Sequence, residues 1–80
     1  MSWFVYIIQA DDDSLYTGIT TDLDRRFAQH LNGTGAKYFN ARTAVQFVYT
    51  EQLSDRSTAS IREAKIKKMT RQQKLHLIKR

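Results

Sequence analysis

Arg26 and His30 stand four residues apart, the spacing that puts two side chains on one face of a helix. An arginine fork matches the oxygens of a phosphate. A histidine beside it can orient, donate to or accept from a reacting oxygen. In isolation such a pair is more often two ordinary surface residues. Glu63 is the one acid among the last 25 residues, and Ala59 at i−4 and Ile66 at i+3 turn its face partly inward. A carboxylate set against the core amid cations is a candidate Mg²⁺ ligand, because Mg²⁺ commonly takes one or two carboxylates and keeps several waters. The alternative is an ion pair with Lys67 at i+4, worth about 0.3–0.5 kcal/mol, and spacing alone favours it. Tyr6 and Tyr16 complete the candidates. Taken singly, they read equally well as half-buried aromatic strand residues.

These side chains need elements to position them. Trp3 to Ile8 is aromatic and β-branched and reads as a strand, Ala10 to Ser14 supplies turn chemistry, and Leu15 to Thr20 reads as the returning strand. With Asp11 and Asp12 at the hairpin tip, Tyr6 falls close to opposite Tyr16, and near-opposite positions share a face. Gly18 then lies near Phe4, where its missing side chain leaves room for something to approach the sheet. Thr21 or Asp22 caps a helix to about Leu31, with Leu23, Phe27 and Leu31 as its buried stripe. Arg26 and His30 border that stripe and can reach across the sheet edge towards the tyrosines.

Asn32 to Gly35 stops the helix, and a short irregular or helical segment follows from Lys37 to Ala41. Val45 to Thr50 is a third strand of mixed alternation. Ser54 or Asp55 caps a helix from about Arg56 to Met69. A short helix from Gln72 to Lys79 follows a break near Thr70 and Arg71. The order β-β-α-β-α-α predicts an α+β fold, a small three-stranded antiparallel sheet covered by helices.

The remaining motifs carry little chemistry. Asp11-Asp12-Asp13 lacks the glycine and distal glutamate of an EF-hand loop and reads as a solvated turn. Gly33 to Lys37 lacks the GxxxxGK[ST] spacing of a phosphate-binding loop. His76 stands alone in the last helix, and no Ser-His-Asp or HExxH arrangement can be assembled.

A chain of 80 residues allows one domain, 1–80, of modest stability, since a domain this small buries only about 60% of the surface its unfolded chain exposes. Without cysteine, disulfides and thiolate metal sites are excluded, which fits a reducing cytoplasm. No apolar run approaches the roughly 18 residues a membrane span needs, and Trp3 to Ile8 lacks the flanks of a signal peptide. A soluble cytoplasmic protein is expected. Net charge is +5 and unevenly spread. Arg56 to Arg80 holds nine Lys/Arg against one acid, a balance of +8, whereas Met1 to Asp55 holds four against seven, a balance of −3. Such asymmetry suits a polyanionic partner, and equally suits a solvated helical face. Lys37, Arg42, Arg62, Lys65 and Lys68 are the candidate backbone-binding cations.

The order of the motifs says more than any one of them. Phe4-Val5-Tyr6, then Tyr16-Thr17-Gly18, then Leu23-Asp24-Arg25-Arg26-Phe27-Ala28-Gln29-His30, then Glu63, resembles the GIY-YIG nuclease pattern over nearly the whole chain. It is most similar to the small stand-alone bacterial members, whose first motif also lacks its glycine. The resemblance implies a three-stranded antiparallel sheet flanked by helices and metal-dependent hydrolysis of phosphodiester bonds in DNA, such as branched or damaged DNA. RNA stays open as a substrate, as does a protein partner that would target the domain. Carried over by position, Tyr16 or Tyr6 would activate or position the attacking water, Arg26 would clamp the scissile phosphate, and His30 would serve the proton network. Glu63 would hold one divalent ion, Mg²⁺ or Mn²⁺. Two departures bear on activity. Phe4 stands where the family name has its first glycine, and Asn32 and Asn40 both precede Glu63, where many members carry an asparagine after that glutamate. They leave open an alternative, a GIY-YIG domain of weak or no catalysis that serves as a nucleic-acid-binding module.

Overall fold

A computed structural model describes residues 2–79. Met1 and Arg80, the latter counted in the basic C-terminal segment, lie outside the described residues. The elements run β1 (Trp3–Ala10), β2 (Leu15–Thr20), α1 (Leu23–Leu31), a 3₁₀ turn (Lys37–Asn40), β3 (Ala44–Leu53), α2 (Arg56–Lys67) and α3 (Arg71–Ile78). The three strands form one antiparallel sheet in the order β2-β1-β3. This is the α+β arrangement that the order of sequence patterns predicts.

β1 is central because its sequence can be buried on both faces. Val5, Tyr6, Ile7 and Ile8 are all fully buried, two on each face. Val5 and Ile7 pack with Ala59 and Ile66 of α2 and Leu77 of α3. Tyr6, Ile8 and Ala10 pack on the other face with Phe39 and Ala44, flanked by Leu23 and Phe27 of α1. The sheet is therefore sandwiched, with α2 and α3 on one side and α1 and the 3₁₀ turn on the other.

The hairpin loop is Asp11–Asp13 rather than a two-residue tip. Asp13 Nᴴ donates to the Ala10 carbonyl at 3.0 Å, and Asp13 takes the left-handed conformation at φ 67°. This is the turn-plus-left-handed-residue geometry of three-residue hairpins, and an aspartate tolerates it better than a branched residue. The longer loop shifts the register from the one expected. Tyr6 faces Gly18, Ile8 faces Tyr16, and Phe4 faces Thr20. Tyr16 lies two positions from Gly18, the residue opposite Tyr6, so Tyr6 and Tyr16 share a face.

β3 explains its own mixed alternation. Register breaks between Ile7/Ile8 and Gln9/Ala10 bring Tyr49 opposite Ile7 but Phe47 opposite Ile8. The break re-aims the strand, so Val48 and Tyr49 join the α2 side while Phe47 joins the Tyr6 side.

The helices start where side chains can accept the orphan N–H groups. Asp22 accepts from Arg25 N at 3.0 Å, Asp55 from Thr58 N at 2.8 Å, and Thr70 forms a reciprocal capping box with Gln73. The stripe expected on α1 needs a correction. Leu31 is 53% exposed, and the buried residue of that last turn is His30. At about 100° per residue, Leu31 has drifted about 80° from Leu23, whereas His30 lies only about 20° off that line.

Candidate active site

Tyr6 and His30 meet. The Tyr6 hydroxyl lies 2.9 Å from His30 Nε2, and both side chains are buried, at 0% and 1% exposure. Three features make the contact possible. β1 aims Tyr6 at the α1 side of the sheet. Gly18, directly opposite, leaves the space that the Tyr6 ring occupies: a Cβ there would overlap the hydroxyl and come within 2.6 Å of Cζ. The room made by Gly18 is thus filled by the protein's own tyrosine, not by an approaching ligand near Phe4. Gly35 does the same for His30, whose Nδ1 a Cβ at position 35 would overlap.

Aromatic rings close the pair in. Tyr16 lies 6.4 Å from Tyr6 and 5.3 Å from His30 between ring centroids, Phe39 is 4.7 Å from His30, and Phe47 meets Tyr6 edge-on at 5.6 Å. Tyr38 and Phe39 in turn flank Tyr16 at 5.2 Å each. Tyr16 is only half-buried, so of the two tyrosines it is the one that solvent reaches. Phe39, Phe47 and Gly35 are absent from the sequence-based site. An adjacent Tyr38-Phe39 pair just past a glycine-rich stop was the available signal, but only the fold shows which rings it would meet.

Burial sets the protonation of the pair. Desolvation, and then the charge of Arg26, holds His30 down to about 4, so the imidazole is neutral at pH 7. Burial also pushes the Tyr6 hydroxyl up, with the Tyr16 and Glu63 charges adding to it, while a hydrogen bond to Arg26 and the Arg26 charge oppose it. Both groups are neutral in the resting protein. Nδ1 of His30 has no hydrogen-bond partner among the described residues. In the tautomer that carries its proton on Nδ1, Nε2 accepts the Tyr6 O–H.

This burial has a measurable consequence for folding. Between pH 6.5 and about 4 the unfolded chain takes up a proton on His30 that the folded chain refuses. Stability should therefore be fully present above pH 6.5 and fall as pH drops through that window, on the order of 2–3 kcal/mol. Urea unfolding at pH 7, 5.5 and 4.5 checks this, with His30→Gln expected to flatten the profile. An unchanged slope in His30→Gln would assign the loss to other groups.

Arg26, half-buried on the same helix, is held by Gln29 Oε1, which accepts from Nη1 at 2.9 Å. Glu63 is set inward by Ala59 and Ile66, which are both fully buried, and its side chain is 22% exposed. Its Oε2 lies 3.4 Å from Lys67 Nζ, so the i,i+4 ion pair is formed. Although α2 packs on the opposite face of the sheet from α1, it also lies against β2, the edge strand over which Tyr6 reaches. That is how the Glu63 charge comes to bear on the Tyr6 hydroxyl. Tyr6, Tyr16 and His30 thus meet on the α1 side of the sheet with Arg26 beside them, whereas Glu63 stands on α2 and bears on the Tyr6 hydroxyl through its charge.

The donor set can be tested against a divalent ion. No group of three or more His, Cys, Asp or Glu among the described residues could hold a metal. One partly exposed carboxylate, Glu63, fits Mg²⁺ or Mn²⁺, hard ions that take one or two carboxylates and keep their waters. It does not fit a closed structural centre such as four-coordinate zinc.

The candidate backbone-binding cations are not brought together. Arg42 donates from Nε to Asp12 at 2.8 Å and lies over the Tyr38 ring at 4.3 Å, which ties the hairpin tip to the 3₁₀ turn. Arg62 donates from Nε to Glu51 at 2.9 Å. Lys37, Lys65 and Lys68 are exposed. At about 100° per residue, Lys65 and Lys68 lie about 200° and 140° round α2 from Glu63, whereas Lys67 lies only about 40° away. Of Lys65, Lys67 and Lys68, the one beside Glu63 is therefore Lys67.

Topology and family together put the chain in a nuclease-type class of domain. The chain belongs to the GIY-YIG family: the model described as the GIY-YIG catalytic domain matches residues 2–76. Within that family it is similar to small UPF0213 proteins. It is 50% identical to UPF0213 protein HQ_3675A of Haloquadratum walsbyi, over 92% of this chain and 83% of that one. It is 42% identical to UPF0213 protein YhbQ of Escherichia coli, over 95% and 76%. Among solved structures it is similar to EF2693 from E. faecalis, with TM-score 0.68, 39% identity and coverage of 99% and 84%. UPF0213 protein BH0048 from Bacillus halodurans gives 0.64, 38% and the same coverage.

Proposed function

We propose that the domain is a divalent-metal-dependent endonuclease that hydrolyses phosphodiester bonds in DNA, with branched or damaged DNA as the substrate class. The observation that carries this reading is the buried Tyr6–His30 contact, on which the charges of Arg26 and Glu63 both bear. Hydrolysis develops charge on the non-bridging and leaving oxygens, and Arg26 would take the non-bridging oxygens in its fork. Glu63 would hold Mg²⁺ or Mn²⁺, which when bound supplies Lewis-acid stabilisation of the phosphate and a more acidic water.

A tyrosine with an ordinary pKa near 10 is a poor base at neutral pH, and burial makes Tyr6 a poorer one. The hydrogen bond to His30 supplies the missing acceptor. Substrate binding must open the buried Tyr6 hydroxyl to the attacking water, and as Tyr6 takes that water's proton, its own passes to Nε2. The positive charge that appears on His30 is disfavoured by burial first and by Arg26 second in the resting protein. A bound phosphate would offset the Arg26 charge and so remove the smaller part of that cost. Half-exposed Tyr16 orients the water at the mouth of the site.

A second reading keeps the fold as a nucleic-acid-binding module with little turnover. The sealing of Tyr6 and His30 from solvent favours it, together with the exposed Lys65 and Lys68. One experiment separates the two. Branched, nicked and single-stranded DNA and matched RNA are incubated with Mg²⁺, with Mn²⁺ and with chelator. Multiple turnovers in either metal and none in chelator are expected. Salt-sensitive binding without product would replace the nuclease reading with the binding module.

A further inference from the structure

An open groove lies beside the site, on the α1 side of the sheet where β3 passes α1. Asp24, Phe27, Gln46 and Phe47 line it, and it encloses about 270 Å³. Neither the proton relay nor the metal site uses it.

Its walls are aromatic. Phe27 and Phe47 stand 5.2 Å apart between centroids and are tilted by 54°, and both are only half-buried. Two features argue that the occupant is a base and not a stretch of backbone. The Asp24 carboxylate at the rim repels phosphate. The Phe rings offer the π-surface on which an unstacked base lies, whatever its sequence context. The groove also continues the site, since the Phe47 ring meets Tyr6 edge-on at 5.6 Å, and Phe27 follows Arg26 in the chain. A nucleotide whose phosphate is held by Arg26 has its neighbouring base within reach of the groove.

The polar edge selects among bases. Asp24 is acceptor-only when ionised. The Gln46 amide nitrogen spends one of its protons on Gln9 Oε1 at 3.0 Å, and its carbonyl oxygen is left as a second acceptor for the groove. Acceptors suit the exocyclic amino group of cytosine, adenine or guanine, as a carboxylate suits the N4 amino group of cytosine. Thymine and uracil lack that group.

We propose that this groove is a nucleobase-binding site, which holds one unstacked, amino-bearing base next to the scissile phosphate. The proposal deepens the nuclease reading and rests on nucleic acid being bound at that site. It implies that the preferred substrate has an unpaired or extruded base beside the cut.

The test is metal-free NMR titration of the whole protein with the single-stranded tetramers dC4, dA4 and dT4, so that no cleavage is needed. Shifts of the Phe27 and Phe47 ring signals and the Gln46 side-chain amide are expected. Binding of dC4 and dA4 should be about threefold or more tighter than dT4. Asp24→Ala or Gln46→Ala, both exposed, should reduce that preference and leave the unfolding midpoint near the parent's. Equal affinities for all three tetramers, or shifts confined to the lysines of α2, would overturn the proposal. The two readings fail separately. Base-selective binding without turnover on the substrate panel overturns the nuclease and keeps the groove, whereas turnover without base selectivity does the reverse.

Discussion

Replacing Glu63 with alanine is expected to abolish metal-dependent cleavage while leaving the fold in place. No other clustered set of acids or histidines among the described residues could take over the ion. The substitution also removes the ion pair with Lys67, but the Lys67 side chain is 53% exposed and such pairs contribute little. Arg26→Ala should act on the same step by a different route. Losing one preorganised charge aimed at the phosphate oxygens typically costs about 10²–10³ in rate. Here the loss of Arg26 also releases one of the two influences that keep His30 neutral, so His30 should titrate at higher pH in the variant. Initial rates at saturating Mg²⁺ or Mn²⁺, read beside urea unfolding, check both variants. Either variant cleaving within a few-fold of the parent, with the fold intact, would falsify the assignment of that residue.

The second large effect is on packing. Gly18→Ala puts a methyl group where the Tyr6 hydroxyl and Cζ already lie, and Tyr6 is fully buried with rings on several sides. The tyrosine must swing away, at a cost of about 1–3 kcal/mol for overpacking, and its 2.9 Å contact to His30 is lost. Turnover should fall with stability, since the proton acceptor is no longer in line. Adding Tyr6→Phe removes the atom that clashes hardest but leaves Cζ, so part of the stability should return and none of the turnover. A double-mutant cycle on unfolding free energies measures that coupling. Additivity of the two substitutions would mean that Gly18 is needed for a reason other than the Tyr6 hydroxyl.

Both arguments depend on residues of different legibility. The strand character of Trp3 to Ile8, the helix behind Asp22 and the basic helices after Asp55 follow from local chemistry: β-branched runs, capping side chains and periodic apolar positions. Those cues act within a few residues, and the elements stand nearly where the patterns put them. Legibility weakens at longer range. The hairpin register depended on whether Asp13 would enter the left-handed region, and the three-residue loop makes Gly18, two positions beyond Tyr16, the cross-strand partner of Tyr6. The mixed pattern of β3 could not be resolved into faces until its bulges were seen against β1.

The pair of tyrosines shows the same division. Sequence by itself determined that Tyr6 and Tyr16 sit on the two strands of a hairpin, that Arg26 and His30 share a helix face, and that Glu63 is turned partly inward, because each of these follows from the pattern of one local segment. The shared face of the tyrosines waited on the loop. Only the tertiary structure decided that Tyr6 hydrogen-bonds His30 and is shut away from solvent, and that Tyr16 is the exposed member. It alone decided that Arg42 and Arg62 are already paired with Asp12 and Glu51. These outcomes turn on contacts between segments 11 to 30 residues apart, and on desolvation, which belongs to the packed assembly and to no single stretch of chain.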